Sequence, residues 1–143
     1  MKVRDVMTRQ VEVIHPQSGL QQAAMTMRKL DVGALPVVKD GRLRGIVTDR
    51  DITVRAVAES RDLSTTLVDD VMSRDVLSVR EDDDVETAAQ VMADRQVRRL
   101  PVLDQDGRLT GILSMADLAV DVGNTRVTEK AIEGVSQPAK PRR

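Results

Sequence analysis

Apolar residues recur three and four positions apart at Leu20, Ala23, Ala24, Met27 and Leu30. That spacing puts them on one face of a helix. Before it, Val11 to Ile14 reads as a short strand. After it, "ALPVVKDGRLRGIVT" (34–48) holds two apolar runs around Asp40-Gly41, the pattern of a hairpin closed by a tight turn. A second helix is expected to start near Asp49 and to carry Ile52, Val54, Val57 and Ala58. A short lead, Val3 to Thr8, precedes the whole. The same order then returns: a lead at Val68 to Ser73, a strand at Val76 to Val79, and a helix with Val85, Ala88, Ala89, Met92 and Val97. A hairpin around Asp106-Gly107 and a helix from Met115 with Leu118 and Val122 complete it.

The second half copies the first. Shifted by 65 positions, "VRDVMTRQV" (3–11) falls on "VDDVMSRDV" (68–76), and "LPVV" (35–38) on "LPVL" (100–103). One extra residue near Gln105 moves the offset to 66, and "DGRLRGIVTDRDI" (40–52) then falls on "DGRLTGILSMADL" (106–118). Such self-similarity marks a duplication. The predicted fold class is α/β (α+β), with two β-α-β-β-α repeats at 1–60 and 61–123. A copy of about 60 residues buries too little to be comfortable alone, so the copies are expected to pack sheet to sheet about a pseudo-two-fold axis. The tail, 124–143, reads as a short helix around Val127 to Val135 followed by a disordered, basic end. Ser18 with Gln21 and Asp83 with Glu86 look like helix-starting capping boxes. Met7, Met25, Met27, Met72 and Met92 read as flexible core filler.

Composition narrows the function. Hydrophobic residues make up 41% and charged residues 31%, with a net charge of −1. The chain has no uniform field to draw in nucleic acid, so nucleic-acid binding is not expected. No apolar run is long enough for a bilayer, and "MKVRDVMTRQ" lacks the apolar segment of a signal peptide, so a cytoplasmic location is the default. Cysteine is absent, which excludes disulfides and thiolate metal sites. With no Phe, Tyr or Trp, a flat ligand ring has only aliphatic side chains and backbone to lie against. His15, the single histidine, stands before Pro16 and reads as an exposed turn residue. With no metal cluster, P-loop or dinucleotide fingerprint either, an enzyme is not expected and no catalytic or metal-binding residue is assigned.

The repeated turn, "GIVTDRD" (45–51) and "GILSMAD" (111–117), carries the candidate chemistry. A hydroxyl followed three residues later by a carboxylate, at a helix start, can be a capping box. Asp is short for that role, and Glu or Gln is commoner. A helix start also offers free N–H groups to a phosphate. Thr48 or Ser114 can donate to phosphate or ribose, and Asp51 or Asp117 can accept from vicinal hydroxyls. Gly45 and Gly111 allow a ligand, or a neighbouring backbone, to come close.

With "DVMT" and "DVMS", "GALPVV" and "RRLPVL", and the two turns, residues 1–122 resemble a tandem pair of CBS domains, also called a Bateman module, of the stand-alone bacterial type. The resemblance implies clefts between the copies for an adenosyl ligand: AMP, ADP, ATP, S-adenosylmethionine or sometimes NAD. It implies one cleft with Ser114 and Asp117, a base wall of Thr8, Val11, Glu12, Val32 and Gly33, and Arg98 and Arg99 toward the phosphates. It implies a second with Thr48 and Asp51, faced by Ser73, Val76, Leu77, Val97 and Arg98, with Arg50 reaching a phosphate. Where the second copy has Arg98-Arg99 the first has Gly33-Ala34, so the Ser114 cleft is the better supplied with cation. Glu12 opposes a polyphosphate. The expected function is a ligand-sensing regulatory module, expected to form a homodimer through its helices. The other reading is a structural or protein-interaction module whose clefts are vestigial, working through an unknown protein partner.

Overall fold

The computed structural model describes residues 1–119 and residue 132. Val122 and the predicted tail, 124–143 apart from residue 132, lie outside the described residues. The fold is mixed α/β and divides into two compact units. Unit 1 is Met1–Val11 with Leu77–Arg143, and unit 2 is Glu12–Val76. These boundaries are not the repeat boundaries drawn at 60 and 61. Each copy's lead sits with the other copy's hairpin.

In unit 2, helix α2 (Leu20–Leu30) is followed by strands β1 (Ala34–Lys39) and β2 (Arg42–Thr48). The strands pair antiparallel with Lys39 opposite Arg42. Asp40 and Gly41 both take positive φ, 55° and 79°, as a two-residue hairpin turn of the right twist requires. Then α3 (Asp49–Asp51) runs into wider turns over Ile52–Val57, and α4 (Val68–Val71) closes the unit.

Unit 1 repeats the plan with α1 (Val3–Val6), β3 (Val79–Arg80), α5 (Val85–Arg95), β4 (Arg99–Leu103), β5 (Leu109–Ser114) and α6 (Met115–Asp117). Its hairpin is not a copy of the first. The extra residue makes a longer turn, in which Asp104 Oδ1 accepts the N–H groups of Asp106 and Arg108 at 2.8 and 2.9 Å, and only Gly107 (φ 82°) takes positive φ.

Burial explains why the leads change places. Val3, Val6 and Met7 join Val85, Ala88, Met92, Leu100, Val102 and Leu113 in the core of unit 1. Val68, Val71 and Met72 join Leu20, Met27, Leu35, Val37 and Val47 in the core of unit 2. Backbone bonds fix both arrangements. Thr8 and Ile112 exchange two N–H···O bonds of 2.9 Å, and Ser73 and Ile46 exchange bonds of 2.8 and 2.9 Å. Each lead therefore extends the other copy's hairpin by one bridge.

Several expectations fail for identifiable reasons. The strands predicted at Val11–Ile14 and Val76–Val79 shrink to a bridge at Ile14 and to Val79–Arg80, because the chain passes from one unit to the other within both segments. The capping boxes at Ser18 and Asp83 do not form. Gly19 and Asp84 are the N-caps, with no side-chain cap bond. The α2 and α5 starts are met by backbone instead, Leu20 N–H donating to Thr66 O at 3.3 Å and Val85 N–H to Met1 O at 3.1 Å. Ala24, Leu30 and Met25 face outward, Met25 being 52% exposed, so Met25 is not core filler. Beyond Asp51 the helix closes rings one residue wider, with Ala58 N–H donating to Thr53 O and Arg61 N–H to Ala56 O. Each turn then holds more residues, and positions three apart no longer share a face. Ala56 is buried while Val54, Val57 and Ala58 are exposed. His15 is exposed in a turn, its Nδ1 accepting from Gln17 N–H at 3.1 Å.

Candidate functional site

Both copies of the repeated turn build the same local structure. A strand ends at Thr48 or Ser114 in extended backbone, and a helix starts with the next residue. Asp51 N–H donates to Thr48 Oγ1 at 3.0 Å, and Thr48 N–H donates to Asp51 Oδ2 at 3.0 Å. In the second copy Asp117 N–H donates to Ser114 Oγ at 3.0 Å, and Ser114 N–H to Asp117 Oδ2 at 2.9 Å. The short Asp does reach back, and the capping box is complete in both copies. One oxygen of each carboxylate is thus committed to the fold.

The outer oxygens differ. Asp51 Oδ1 faces Arg55 Nε at 3.7 Å, and the Asp51 side chain is only 11% exposed. Asp117 is less buried, and its Oδ1 has no protein partner among the described residues. Arg55 escapes the motif reading, although its place four residues after an acid on a helix is a readable signal.

The glycines are needed for backbone approach, not for a ligand. A Cβ on Gly45 would stand 2.5 Å from Ser73 O, and one on Gly111 would stand 2.7 Å from Thr8 O. The neighbour in each case is the exchanged lead.

Unit 1 gathers Thr8, Val11, Arg98, Arg99, Ser114 and Asp117. Arg99 pairs with Ser114 across the hairpin, and Met115 N–H donates to Arg98 O at 2.9 Å. Thr8, Arg98 and Arg99 are exposed, and Val11 is half-buried. Leu77 and Val97, expected opposite Thr48, also belong to unit 1 and pack against its core. Unit 2 gathers Thr48, Arg50, Asp51, Ser73 and Val76, together with Glu12, Val32 and Gly33 expected opposite Ser114. Arg50 and Glu12 are exposed. Asp49 N–H donates to Gly33 O at 2.9 Å, the same bond that Met115 makes to Arg98. A Cβ on Gly33 would stand 3.2 Å from Asp49 Oδ2, so a carboxylate lies where unit 1 has a methionine beside an arginine. The depression along α2, lined by Gln21, Gln22, Met25, Thr26, Arg28 and Lys29, contains none of these groups.

A duplicated strand–turn–helix motif with an exchanged lead can be compared with known proteins. The CBS domain family model matches residues 3–57 and again 68–122. The chain belongs to the CBS-domain family. The CBS domain-containing protein YhcV of Bacillus subtilis is 42% identical over 134 residues, 94% of each chain. Among solved structures, CBSX2 in complex with AMP has a TM-score of 0.74 at 28% identity, covering 87% of this chain and 98% of its own. The CBS domain pair of MJ0100, in complex with 5-methylthioadenosine and S-adenosyl-L-methionine, has a TM-score of 0.69 at 27% identity, covering 86% and 96%. In CBSX2 and MJ0100 the CBS structures are complexes with adenosyl compounds, and both matched segments of this chain are CBS domains. No helix among the described residues is long and apolar enough to cross a membrane.

Proposed function

We propose that this CBS pair senses an adenosyl ligand, AMP foremost among AMP, ADP, ATP and S-adenosylmethionine, and that the ligand is held by Ser114 and Asp117. The observation that carries the reading is the outer oxygen of Asp117, which has no partner among the described residues, in the unit that also holds Thr8, Arg98 and Arg99. A carboxylate with one oxygen fixed and one available accepts from a ribose diol without rearranging. Two arginines at the strand entrance supply charge-assisted donors to a phosphate. The likeness to complexes with AMP and with S-adenosylmethionine supports the ligand class. The chain does no chemistry on the ligand. Binding shifts an equilibrium by its difference in affinity for two states, and a cytoplasmic protein partner reads the result. A homodimer through the helices is part of this proposal. Val54 and Val57, 45% and 55% exposed, are available to it, and light scattering that gave a monomer mass would remove it.

The completed capping boxes favour a second reading, in which both turns serve only the fold and the module works by binding a protein. Thermal shift separates the two. The chain has no aromatic residue to report unfolding, so an added dye is needed. A ligand at about 100 times its Kd should stabilise by roughly 2.7 kcal/mol. AMP is expected to raise the midpoint of the wild type and of Asp51→Ala, and not that of Asp117→Ala. No shift with AMP, ADP, ATP or S-adenosylmethionine would leave the interaction module as the function.

A further inference from the structure

The two motif carboxylates share a cap but not a neighbour. Arg55 lies one turn beyond Asp51, with Nε 3.7 Å from Oδ1. Its Nη1 donates to Val71 O at 3.4 Å and to Met72 O at 3.3 Å, the carbonyls that end α4. One guanidinium therefore spans the motif aspartate and the exchanged lead. It cannot swing aside to admit a ligand without giving up those carbonyls. A ribose diol at Asp51 would have to donate to the oxygen that this cation already faces, in a side chain only 11% exposed. The position equivalent to Arg55 in the second copy is Asp121, an acid, which cannot pair with Asp117. A second difference acts in the same sense. The Asp49 carboxylate lies against Gly33, where a phosphate would be repelled, while the equivalent pair in unit 1 is Met115 and Arg98.

We infer that Arg55 is an internal counter-ion that reserves Asp51 for the fold, so that the chain binds one adenosyl ligand, at Ser114 and Asp117, and not two. This rests on the reading proposed above. Arg55 is then a specificity-determining residue. It does not touch the ligand, and it sets the number of working sites.

Equilibrium dialysis of the full chain with AMP tests it. The wild type should bind one AMP per chain, Asp51→Asn should still bind one, and Asp117→Asn none. Arg55→Gln should bind two, the second more weakly. Arg55→Lys, which keeps the charge, should return to one. Arg55→Met keeps the aliphatic stem and serves as the neutralising variant should Arg55→Gln fail to fold, as judged by circular dichroism. Two AMP per wild-type chain would overturn the inference and leave the proposed function standing. So would one AMP for both neutral variants, or a single AMP lost in Asp51→Asn. Binding of none of AMP, ADP, ATP and S-adenosylmethionine to any of the chains in the same dialysis would remove the proposed function itself, and this inference with it.

Discussion

Unit 1 and unit 2 keep the same backbone at their caps and exchanged leads and part company in their side chains. The hydrogen bond from Asp49 to Gly33 and that from Met115 to Arg98 have the same length, 2.9 Å, yet one joins an acid to a bare backbone and the other a thioether to a cation. Asp51 and Asp117 close equivalent caps, yet only Asp51 has an arginine beside it among the described residues. After duplication, the ladder and the caps are held in place because each unit needs them to fold. The residues around the outer carboxylate oxygen are under no such constraint and are free to diverge. Inequivalent side chains on equivalent scaffolds are the result.

The exchange of leads is the part of this comparison easiest to break. Val3 and Val71 are both fully buried, in the cores of unit 1 and unit 2 respectively. Replacing either with Asp puts an unpaired charge in a core and should cost more than about 4 kcal/mol. Hydrogen exchange should show Val3→Asp exposing amides of α5 and β4, in the second repeat, while β1 and β2 stay protected. Val71→Asp should do the reverse. Loss of protection confined to the mutated repeat would refute the exchange.

A smaller effect is expected at the glycines. Gly45→Ala and Gly111→Ala each push a Cβ against a lead carbonyl and should destabilise by about 1–3 kcal/mol in a denaturant melt. Equal losses would show both leads to be equally tight; a neutral result at either would mean that its lead can move. Removing the caps with Thr48→Ala and Ser114→Ala should cost about 1 kcal/mol each. Only Ser114→Ala should also reduce the stabilisation by AMP, which sharpens the contrast between the two turns.

The least effect concerns the ends of the leads. Lys2 Nζ and the exposed Asp84 make a 2.9 Å ion pair that holds the lead of unit 1 to the start of α5. Its hydrogen bond and charge lower the Asp84 carboxyl and raise the Lys2 ammonium from their ordinary values. A lowered acid stabilises above its unfolded pKa and loses that contribution as pH falls through the lowered value. A raised base stabilises below its unfolded pKa and loses the contribution as pH rises through the raised value. The small Tm difference between wild type and Lys2→Met should therefore be flat around neutrality and vanish at both extremes. A difference that persisted in strong acid would point to packing of the Lys2 stem.

Much of this is legible in the chain. The period of the apolar residues marks α2 and α5, Asp40-Gly41 marks the tight turn, and the repeat points to the family. The family match, however, does not say which motif residues meet a ligand. Two things stay hidden because they depend on long-range placement. A lead of four helical residues has the same apolar pattern whichever hairpin it joins. The glycines allow close approach in any fold, and only the fold shows that Ser73 and Thr8 are what approaches. Other differences are local. The capping boxes expected at Ser18 and Asp83 rest on side chains, whereas backbone carbonyls of Thr66 and Met1 meet those helix starts. Arg55 is visible as a charge four residues from Asp51, but its bonds to Val71 and Met72 require the exchanged segment to be in place.

The exchange also sets an order in time. A ribosome delivers Met1–Val11 before their partners in β5, which are not complete until Ser114. Unit 2 has all of its residues once Val76 has been synthesised. During synthesis the lead at Val3–Thr8 is therefore expected to wait, with Val3, Val6 and Met7 uncovered, while unit 2 condenses before it. Closing that long loop is expected to be the slow, entropically costly step. Pulse-labelled exchange during refolding should accordingly protect Val47 before Ile112, and the N-terminal segment is the part of a nascent chain that most needs shielding from its neighbours.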